Sequence, residues 1–461
     1  MTSFSALGGR KFAPKSLSVF AVFALAFAQL VLPAEQIPLD SISGNMTLDV
    51  LDPHLLRDIV DSHRPHLGQY ADFYRHVHQH PEIAAMEVET ADKVIAHLNR
   101  LGYTVHSGIG GYGLVGVFRN GPGKTILMRA ELDALLILEQ TTVPYRSERR
   151  MVDRYGNERP VMHACGHDMN MATLLAAADL LKAAAQRWKG TLLVVFQPEE
   201  EELSGARAML DDGFYDLVPV PDIMLGQHLV PDRAGTVAIR AGPVLVAADT
   251  MRIRVVGGPC EGSVNPQFCV DPISLSMRIV SGLQDTVTSE VGPDENATVA
   301  CWGFHAGEPG NDYVAYADIL LDIKTIKPDI RRRVTDLIEK EFLDQCRAAG
   351  VPHPPEINHT VRAPLTSNHE SIVSPIHHVF RDYFTPSNTL DMGLGRSTED
   401  FSVFGAAHNV PYAYWHFGGT PEGTEEPLPT NHSPFFAPEI DITLRTGTDA
   451  MALAALAFLV A

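Results

Sequence analysis

Positive charge is scarce in this sequence. Of its 461 residues, 36 are Lys or Arg and 56 are Asp or Glu, which gives a formal charge of -20. No basic stripe and no nucleic-acid-binding motif interrupts the acidic balance, so nucleic acid is excluded as an expected partner. The mean hydropathy of -0.01 and the 20% of charged residues exclude a multi-span membrane protein and a disordered chain. We therefore expect a soluble globular protein.

The N-terminal segment contains a charge-free apolar stretch. Three basic residues precede Ser16–Ala34, in which Ala26-Phe27-Ala28 has the small-residue pattern of a cleavage site. We predict a signal peptide over residues 1–28 and a secreted protein. An uncleaved membrane anchor is the alternative, because the stretch approaches the roughly 20 residues that span a bilayer.

Cysteine is sparse, with five residues in the chain. One belongs to a metal motif described below, which leaves an even number that can pair in an oxidising compartment, namely Cys260, Cys269, Cys301 and Cys346. Their connectivity cannot be read from the sequence. A secreted chain would also be a candidate glycoprotein, since four N-x-S/T sequons begin at Asn45, Asn296, Asn358 and Asn431.

The chain is too long for one ordinary domain, and its pattern of elements predicts two. Helical spacing from Leu55 to Leu101 gives way to alternating short strands and helices, which is typical of an α/β domain with a mostly parallel sheet. We place the first part of this domain at residues 53–245 and its second part at 362–461. Between them, residues 246–361 have the order strand, helix, strand, strand, helix, followed by a Pro-rich exit. This order predicts an inserted α/β sandwich.

The first candidate site is His163-Ala-Cys165-Gly-His167-Asp168, directly before a helix predicted for Met169–Ala185. Cys and His are borderline-soft ligands that suit zinc, manganese or cobalt. By itself the motif is weak, because a lone Cys is more often a small buried hydrophobe.

An acidic cluster follows a predicted buried strand. Thr191–Phe196 leads into Gln197-Pro-Glu-Glu-Glu-Glu202, and open α/β sheets place their active sites at the carboxyl ends of such strands. One carboxylate can bind metal while its neighbour stays free as a base. The alternative is a solvated acidic loop, which is the usual explanation of a charge run.

Two histidines are expected on the same rim of the sheet. His228 follows the next predicted strand, Asp222–Gly226, and His432 lies in a Pro-rich loop before a predicted closing helix, Asp449–Val460. Each alone is more typical of a surface or core histidine. Together with the other two segments they indicate one metal site.

These segments stand in an order that resembles a known family. In chain order they are Arg75-x-x-His78-x-His80-Pro-Glu82, Arg129-Ala-Glu-Leu-Asp133, His163–Asp168, Gln197–Glu202, Gly226-Gln-His228, Ser397-Thr-Glu399-Asp400-Phe and Asn431-His-Ser-Pro. From Leu55 to the C-terminus the sequence resembles the aminoacylase, hippurate hydrolase and auxin-conjugate hydrolase group. These proteins are di-metal amidohydrolases of peptidase family twenty.

The resemblance implies a site and a reaction. Two divalent metal ions, zinc, manganese or cobalt, would be bound by Cys165, His167, Glu201, His228 and His432. The general base would be Glu200, acting on a small-molecule amide such as an N-acyl or N-aminoacyl amino acid. The inserted domain would be a lid and the interface of a homodimer. Glu399 and Asp400 match a motif at the edge of the site, where they would support the ligands or, alternatively, cap a helix. Glu399 is also a candidate for substrate binding.

The inserted domain departs from the family pattern in its Gly-rich stretch. Glu261 and Gln267 stand where the family has histidines, one of which helps to bind the substrate or the tetrahedral intermediate. Loss of such a donor costs about 10²–10³ in rate where it has been measured. The amide of Gln267 can still donate, so this residue is a candidate for substrate binding. A disulfide between Cys260 and Cys269 is our hypothesis for how the altered loop is closed.

Three single positions elsewhere also match the family pattern or differ from it. Asn311 matches a lid asparagine that contacts substrate in the family. Asn170 replaces a histidine and is expected to change the support of His167, whereas Lys324 replaces an arginine at a position that can be solvent-exposed. The departures leave two alternatives to the general hydrolase, a narrow-substrate amidohydrolase of secondary metabolism and a catalytically silent metal-binding homologue.

Overall fold

The computed structural model describes residues 52–258, 270–307, 314–425 and 427–460. Its helices are α1 (Pro53–His63), α2 (Gly68–Gln79), α3 (Val88–Leu101), α4 (His167–Ala183), α5 (Gly205–Asp211), α6 (Phe214–Leu217), α7 (Pro272–Val291), α8 (Pro328–Ala348), α9 (Glu370–Tyr383), α10 (Val403–Ala406) and α11 (Ile440–Leu459). Its strands are β1 (Thr104–Ile109), β2 (Gly113–Asn120), β3 (Thr125–Glu131), β4 (Arg150–Val152), β5 (Glu158–Pro160), β6 (Gly190–Gln197), β7 (Ile223–Arg233), β8 (Val237–Ala238), β9 (Gly242–Leu245), β10 (Ala247–Val256), β11 (Thr298–Ala306), β12 (Tyr316–Thr325), β13 (Glu356–Ala363), β14 (Thr366–Asn368), β15 (Thr389–Leu390) and β16 (Tyr412–Thr420). The predicted signal peptide and Asn45 lie outside the described residues.

An eight-stranded sheet forms the larger part of the protein, in the order β1-β2-β6-β3-β7-β16-β8-β15. The central strands β6, β3, β7 and β16 are mutually parallel, whereas β1, β2 and β8 join their neighbours β2, β6 and β16 antiparallel. Apolar side chains cover both faces of the centre, which is why β6 reads as a nearly continuous hydrophobic run. The predicted α/β class with a mostly parallel sheet is confirmed.

The C-terminal helix α11 packs in this core. It is long and apolar enough to span a membrane, but 83% of its most apolar window is buried inside the fold, as expected for a core helix. Glu439 caps its N-terminus by accepting hydrogen bonds from the backbone N–H groups of Asp441 and Ile442. The helix therefore begins nine residues before the predicted start at Asp449, because this cap fixes its first turn at Ile440.

Strands β10, β11, β12 and β13 form a four-stranded antiparallel sheet in the order β11-β12-β10-β13. Helices α7 and α8 pack against it and share with it a separate hydrophobic cluster, as an inserted α/β sandwich requires. The predicted element order is present. The predicted Pro-rich segment is followed by a strand that was not predicted: β13 begins directly after Pro354 and Pro355 and pairs with β10 at the edge of the sheet.

Two further boundaries differ from the sequence predictions. The N-terminal helical region is broken after His63 as well as near Pro81, because the residue before Pro65 is forced out of the helical conformation. Strand β7 continues to Arg233, so His228 lies inside a strand.

The remaining cysteines of the described residues are unpaired. Cys301 is exposed on β11 and Cys346 is buried in α8, and both are free thiols. Cys260 and Cys269 lie outside the described residues, so the hypothesis of a disulfide in their loop stays a prediction.

Candidate metal centre

The predicted ligands meet at one edge of the eight-stranded sheet. Cys165 lies in the loop before α4 and His167 is the first residue of that helix. Glu201 follows β6, His228 lies in β7, and His432 belongs to the loop after β16. This edge is the carboxyl end of the parallel strands, where α/β sheets bind their ligands.

Cys165 is at the centre of the cluster. Its Sγ lies 3.5 Å from His228 Nε2 and 3.2 Å from His432 Nε2. His432 Nε2 is also 3.3 Å from Glu201 Oε2, and His167 Nε2 is 4.0 Å from Glu201 Oε1. The ligand atoms fall into a group of Cys165, His167 and His228 and a group of Cys165, Glu201 and His432, each within 4.8 Å. A shared sulfur thus joins two sets of donors.

Backbone carbonyls orient the two buried histidines. His167 Nδ1 lies 2.8 Å from the carbonyl oxygen of Asp133, and His228 Nδ1 lies 2.7 Å from that of Leu229. A carbonyl only accepts, so each Nδ1 carries the proton and each Nε2 presents a lone pair to the cluster. Burial lowers the pKa of His228 far below its ordinary value and keeps it in the neutral form that binds metals.

Two candidate metal-binding atoms of the cluster have no hydrogen-bond partner among the described residues. They are His167 Nε2 and Glu201 Oε1, both buried, and buried polar atoms are seldom left without one. Burial, followed by the charges of Glu201 and Glu200, raises the pKa of the Cys165 thiol. A divalent cation satisfies these atoms and favours the thiolate, so the residues present fit a metal centre.

Glu200 lies beside the ligands, with Glu200 Oε2 3.6 Å from His167 Nε2. Burial, followed by the neighbouring charges of Glu399 and Glu201, raises its pKa well above the ordinary value for a glutamate. Such a carboxyl holds a proton more tightly than an exposed one, which suits a group that must take up a proton and pass it on.

A buried arginine organises the carboxylates behind Glu200. The Arg129 guanidinium pairs with Glu131, Glu399 and Asp400. The matching family segment was noted in the sequence, but this role of Arg129 was not predicted. A mid-strand arginine gives no signal for it, because its partner Glu399 is 270 positions away.

Glu399 lines the cavity, yet both of its carboxylate oxygens are engaged. Oε1 accepts from the Phe401 N–H at 3.0 Å and from Arg129 at 2.8 Å, and Oε2 accepts from the Tyr414 hydroxyl at 2.8 Å. These contacts hold the carboxylate in place, whereas α10 has Ser402 at its N-cap position and no side-chain cap, so the capping alternative is not what the structure has. The contacts favour a structural role over the predicted contact with substrate.

The cluster forms one wall of a cavity of about 350 Å³. The inserted sheet contributes Trp302 and Lys324 to the lining of this cavity, and β16 contributes Tyr414 and His416. Lys324 therefore lines the site and is partly exposed to solvent, with 27% of its side-chain surface accessible. Gln267 and Asn311, the other predicted substrate-binding residues, lie outside the described residues.

Asn170 supports a different ligand from the one predicted. Its Nδ2 donates to Glu131 Oε2 at 2.9 Å, and its Oδ1 accepts from the Leu229 N–H at 3.1 Å. Its hydrogen bonds thus position β7 beside His228, whereas His167 is oriented by Asp133.

Asn431 fastens the two loops of the centre together. Its Nδ2 donates to the carbonyl oxygens of Cys165 at 2.8 Å and Leu229 at 3.0 Å. The next residue, His432, has a φ of 67°, a conformation that is uncommon outside glycine. A glycan on Asn431 would occupy the nitrogen that makes both bonds.

We expect Asn431→Ala to lower the free energy of unfolding by about 1–3 kcal/mol, because two acceptors lose their partner, and to weaken metal binding. Denaturant unfolding and metal titration measure the two effects. Asn358→Ala is the control, since this asparagine is exposed on β13 and its loss should change the free energy by less than about 0.5 kcal/mol. Equal effects of the two substitutions would contradict the role of Asn431.

Comparison with known proteins identifies the class. Residues 127–457 match peptidase family M20/M25/M40, and the chain belongs to this family. It is 32% identical over 369 residues to the hippurate hydrolase of Campylobacter jejuni, with 78% of this chain and 90% of that protein covered. It is 28% identical over 367 residues to an IAA-amino acid hydrolase of Arabidopsis thaliana, with 78% and 79% covered.

A solved structure agrees with the chemistry of the site. The crystal structure of a dinuclear metal-binding M20 peptidase from Bacillus subtilis matches with a TM-score of 0.66 and 25% identity, over 85% of this chain and 99% of that one. The protein is thus a metal-dependent amidohydrolase that uses divalent metal ions, and the family resemblance is confirmed.

Proposed function

We propose that this enzyme cleaves the amide bond of N-acyl or N-aminoacyl amino acids whose carboxylate is free. The observation that carries the proposal is Lys324, the one Lys or Arg among the described residues that line the cavity of Glu200. Glu200, Glu201 and Glu399 line the same cavity, so a substrate carboxylate is attracted to the Lys324 ammonium and repelled by these carboxylates. Relatives named for hippurate and for IAA-amino acids support this substrate class.

Five residues would hold two metal ions of the zinc, manganese or cobalt type, namely Cys165, His167, Glu201, His228 and His432. When bound, the ions polarise the amide carbonyl and lower the pKa of a water molecule. Glu200 takes a proton from that water and returns it to the leaving amine. The Arg129 guanidinium holds Glu399 and Asp400 beside Glu200.

Lys324 is positioned to orient the substrate. Its Nζ lies 3.2 Å from the carbonyl oxygen of Arg396 and 4.0 Å from Asp322 Oδ2. The ammonium has three N–H groups, so it can bind a carboxylate while keeping the bond to Arg396. A charge-assisted hydrogen bond of this kind contributes about 1.5–3 kcal/mol.

The narrow-substrate alternative has one observation in its favour. Trp302 lines the cavity from β11 with 54% of its surface exposed, and an indole at this place suits a large flat acyl group. The silent homologue is less well supported, because all five candidate ligands and Glu200 come together.

Location and assembly are proposals from the sequence. The leader motif supports secretion, and the sequon asparagines Asn296 and Asn358 are exposed, as glycan acceptors must be. Dimerisation through the inserted domain is proposed from the resemblance.

The test is a panel of N-acetyl, N-benzoyl and N-aminoacyl amino acids, each paired with its C-terminal carboxamide, assayed with added manganese or zinc. We expect metal-dependent release of the amino acid from the free acids, and a kcat/KM about 10–100-fold lower for the carboxamides, which lack the charge. In Lys324→Met this difference should shrink through a higher KM for the acids.

Lys327→Met is the matched control, because this lysine pairs with Glu295 on the surface. It should behave like the unmodified enzyme. Equal turnover of acids and carboxamides by the unmodified enzyme would overturn the proposed substrate class.

A further inference from the structure

His416 is a polar group in the cavity that the mechanism above does not use. It lies on β16 directly opposite His228 in the parallel register. Its imidazole lines the same cavity as Glu200, Cys165 and His432. The residues on either side of it, Trp415 and Phe417, pack in the core and hold the strand in place.

The ring of His416 has no hydrogen bond to any described residue. Its described ring contact is with Tyr414, at a centroid separation of 6.1 Å. An imidazole ring has at least one N–H donor whether it is neutral or protonated. A half-buried imidazole of this kind is expected to find its partner in a bound ligand.

The donors of Asn431 and Tyr414 in the cavity are already engaged. Both acceptors of the Asn431 amide are backbone oxygens, and the Tyr414 hydroxyl donates to Glu399. The hydroxyls of Ser397 and Thr398 belong to a loop, whereas His416 is fixed within a central strand. His416 is thus the donor best placed beside the metal-binding wall.

We propose that His416 donates a hydrogen bond to the carbonyl oxygen of the scissile amide as that oxygen becomes negatively charged. The proposal rests on the proposed function. Water oxygen bonds to the amide carbon, and the π electrons of the carbonyl move to its oxygen, which the His416 N–H then stabilises. When the carbonyl re-forms, the carbon–nitrogen bond breaks and the amine leaves with the proton held by Glu200. The products are one carboxylic acid and one amine.

Two substitutions separate the donor from the bulk of the ring. His416→Phe keeps a ring but removes the N–H, and it should lower kcat about 10²–10³-fold, the effect of removing one oxyanion donor, with little change in KM. His416→Gln keeps an N–H donor and should retain activity within about 10-fold. His408→Phe, at an exposed histidine outside the cavity, should have the activity of the unmodified enzyme.

A binding measurement supplies a readout besides turnover. A phosphinate analogue of the best substrate has a tetrahedral, negatively charged centre, and its affinity should fall about 10²–10³-fold in His416→Phe. The affinity for the product amino acid should change less than about 3-fold.

Equal losses for analogue and product would overturn the proposal, as would a His416→Phe enzyme with normal kcat. If His416→Phe does not fold, His416→Gln decides the question. A folded His416→Gln enzyme whose kcat is lowered by the full, roughly 10²–10³-fold effect of losing the donor would overturn the proposal too. Failure of the unmodified enzyme to cleave any N-acyl amino acid contradicts the proposed function instead, so the two failures are distinguishable.

Discussion

Replacement of Glu200 by glutamine is expected to lower kcat for amide hydrolysis by about 10³-fold, within the 10²–10⁴ range of general acid–base catalysis. Glutamine has nearly the same size but cannot accept the proton of the attacking water. Glu200 belongs to neither of the two groups of ligand atoms that share the Cys165 sulfur, and at its place beside His167 and Glu201 glutamine keeps a side-chain oxygen. Metal content, measured by elemental analysis, should therefore stay at the level of the unmodified enzyme.

The chain offers a close control for this experiment. Glu202 is two positions away, and its exposed carboxylate pairs with Arg154 outside the cavity. Glu202→Gln removes the same charge from the same acidic run and should leave kcat within about 2-fold, since exposed ion pairs contribute little. Equal losses in the two variants would indicate that the acidic run acts through its total charge, and Glu200 would lose its role as the base.

The strands that carry the site were predictable because buried parallel strands have continuous apolar sequences. The predicted strand Thr191–Phe196 lies within β6, and the acidic residues after it reach the metal centre as expected. The histidines His228 and His432 were individually ambiguous. They became informative together. A parallel sheet brings the segments that follow its predicted strands to one edge, so the two histidines were expected to lie near each other.

Other features of the site depend on packing that has no local signal. Lys324 faces the cavity because the inserted sheet presents one face of β12 to the catalytic wall, and the sequence of β12 does not tell which face that is. His416 lies in a strand rich in aromatic residues, where a histidine is as typical of the hydrophobic core as of a binding site. Arg129 acts through side chains more than 200 residues away, so its role follows only from the tertiary structure.

Replacement of Cys165 by alanine is the other change with a large expected effect. The sulfur belongs to both groups of candidate ligand atoms, so its loss should weaken both metal positions. Removal of a residue that merely supports a ligand lowers metal affinity about 10–100-fold, and we expect a larger loss here, together with the loss of turnover. Metal titration followed by elemental analysis measures the affinity and the stoichiometry.

Stability gives an independent measure of the same substitution. Binding to the folded state stabilises it in proportion to the logarithm of ligand concentration over Kd, about 1.4 kcal/mol for each tenfold change. The unmodified protein should thus gain thermal stability on addition of metal, and Cys165→Ala should gain far less. Cys346→Ala is the control, because this cysteine is buried in the core of the inserted domain and its loss should lower the melting temperature without changing the gain. If metal stabilised Cys165→Ala as strongly as the unmodified protein, the sulfur would not be a shared ligand, and the histidines and Glu201 would have to bind the ions alone.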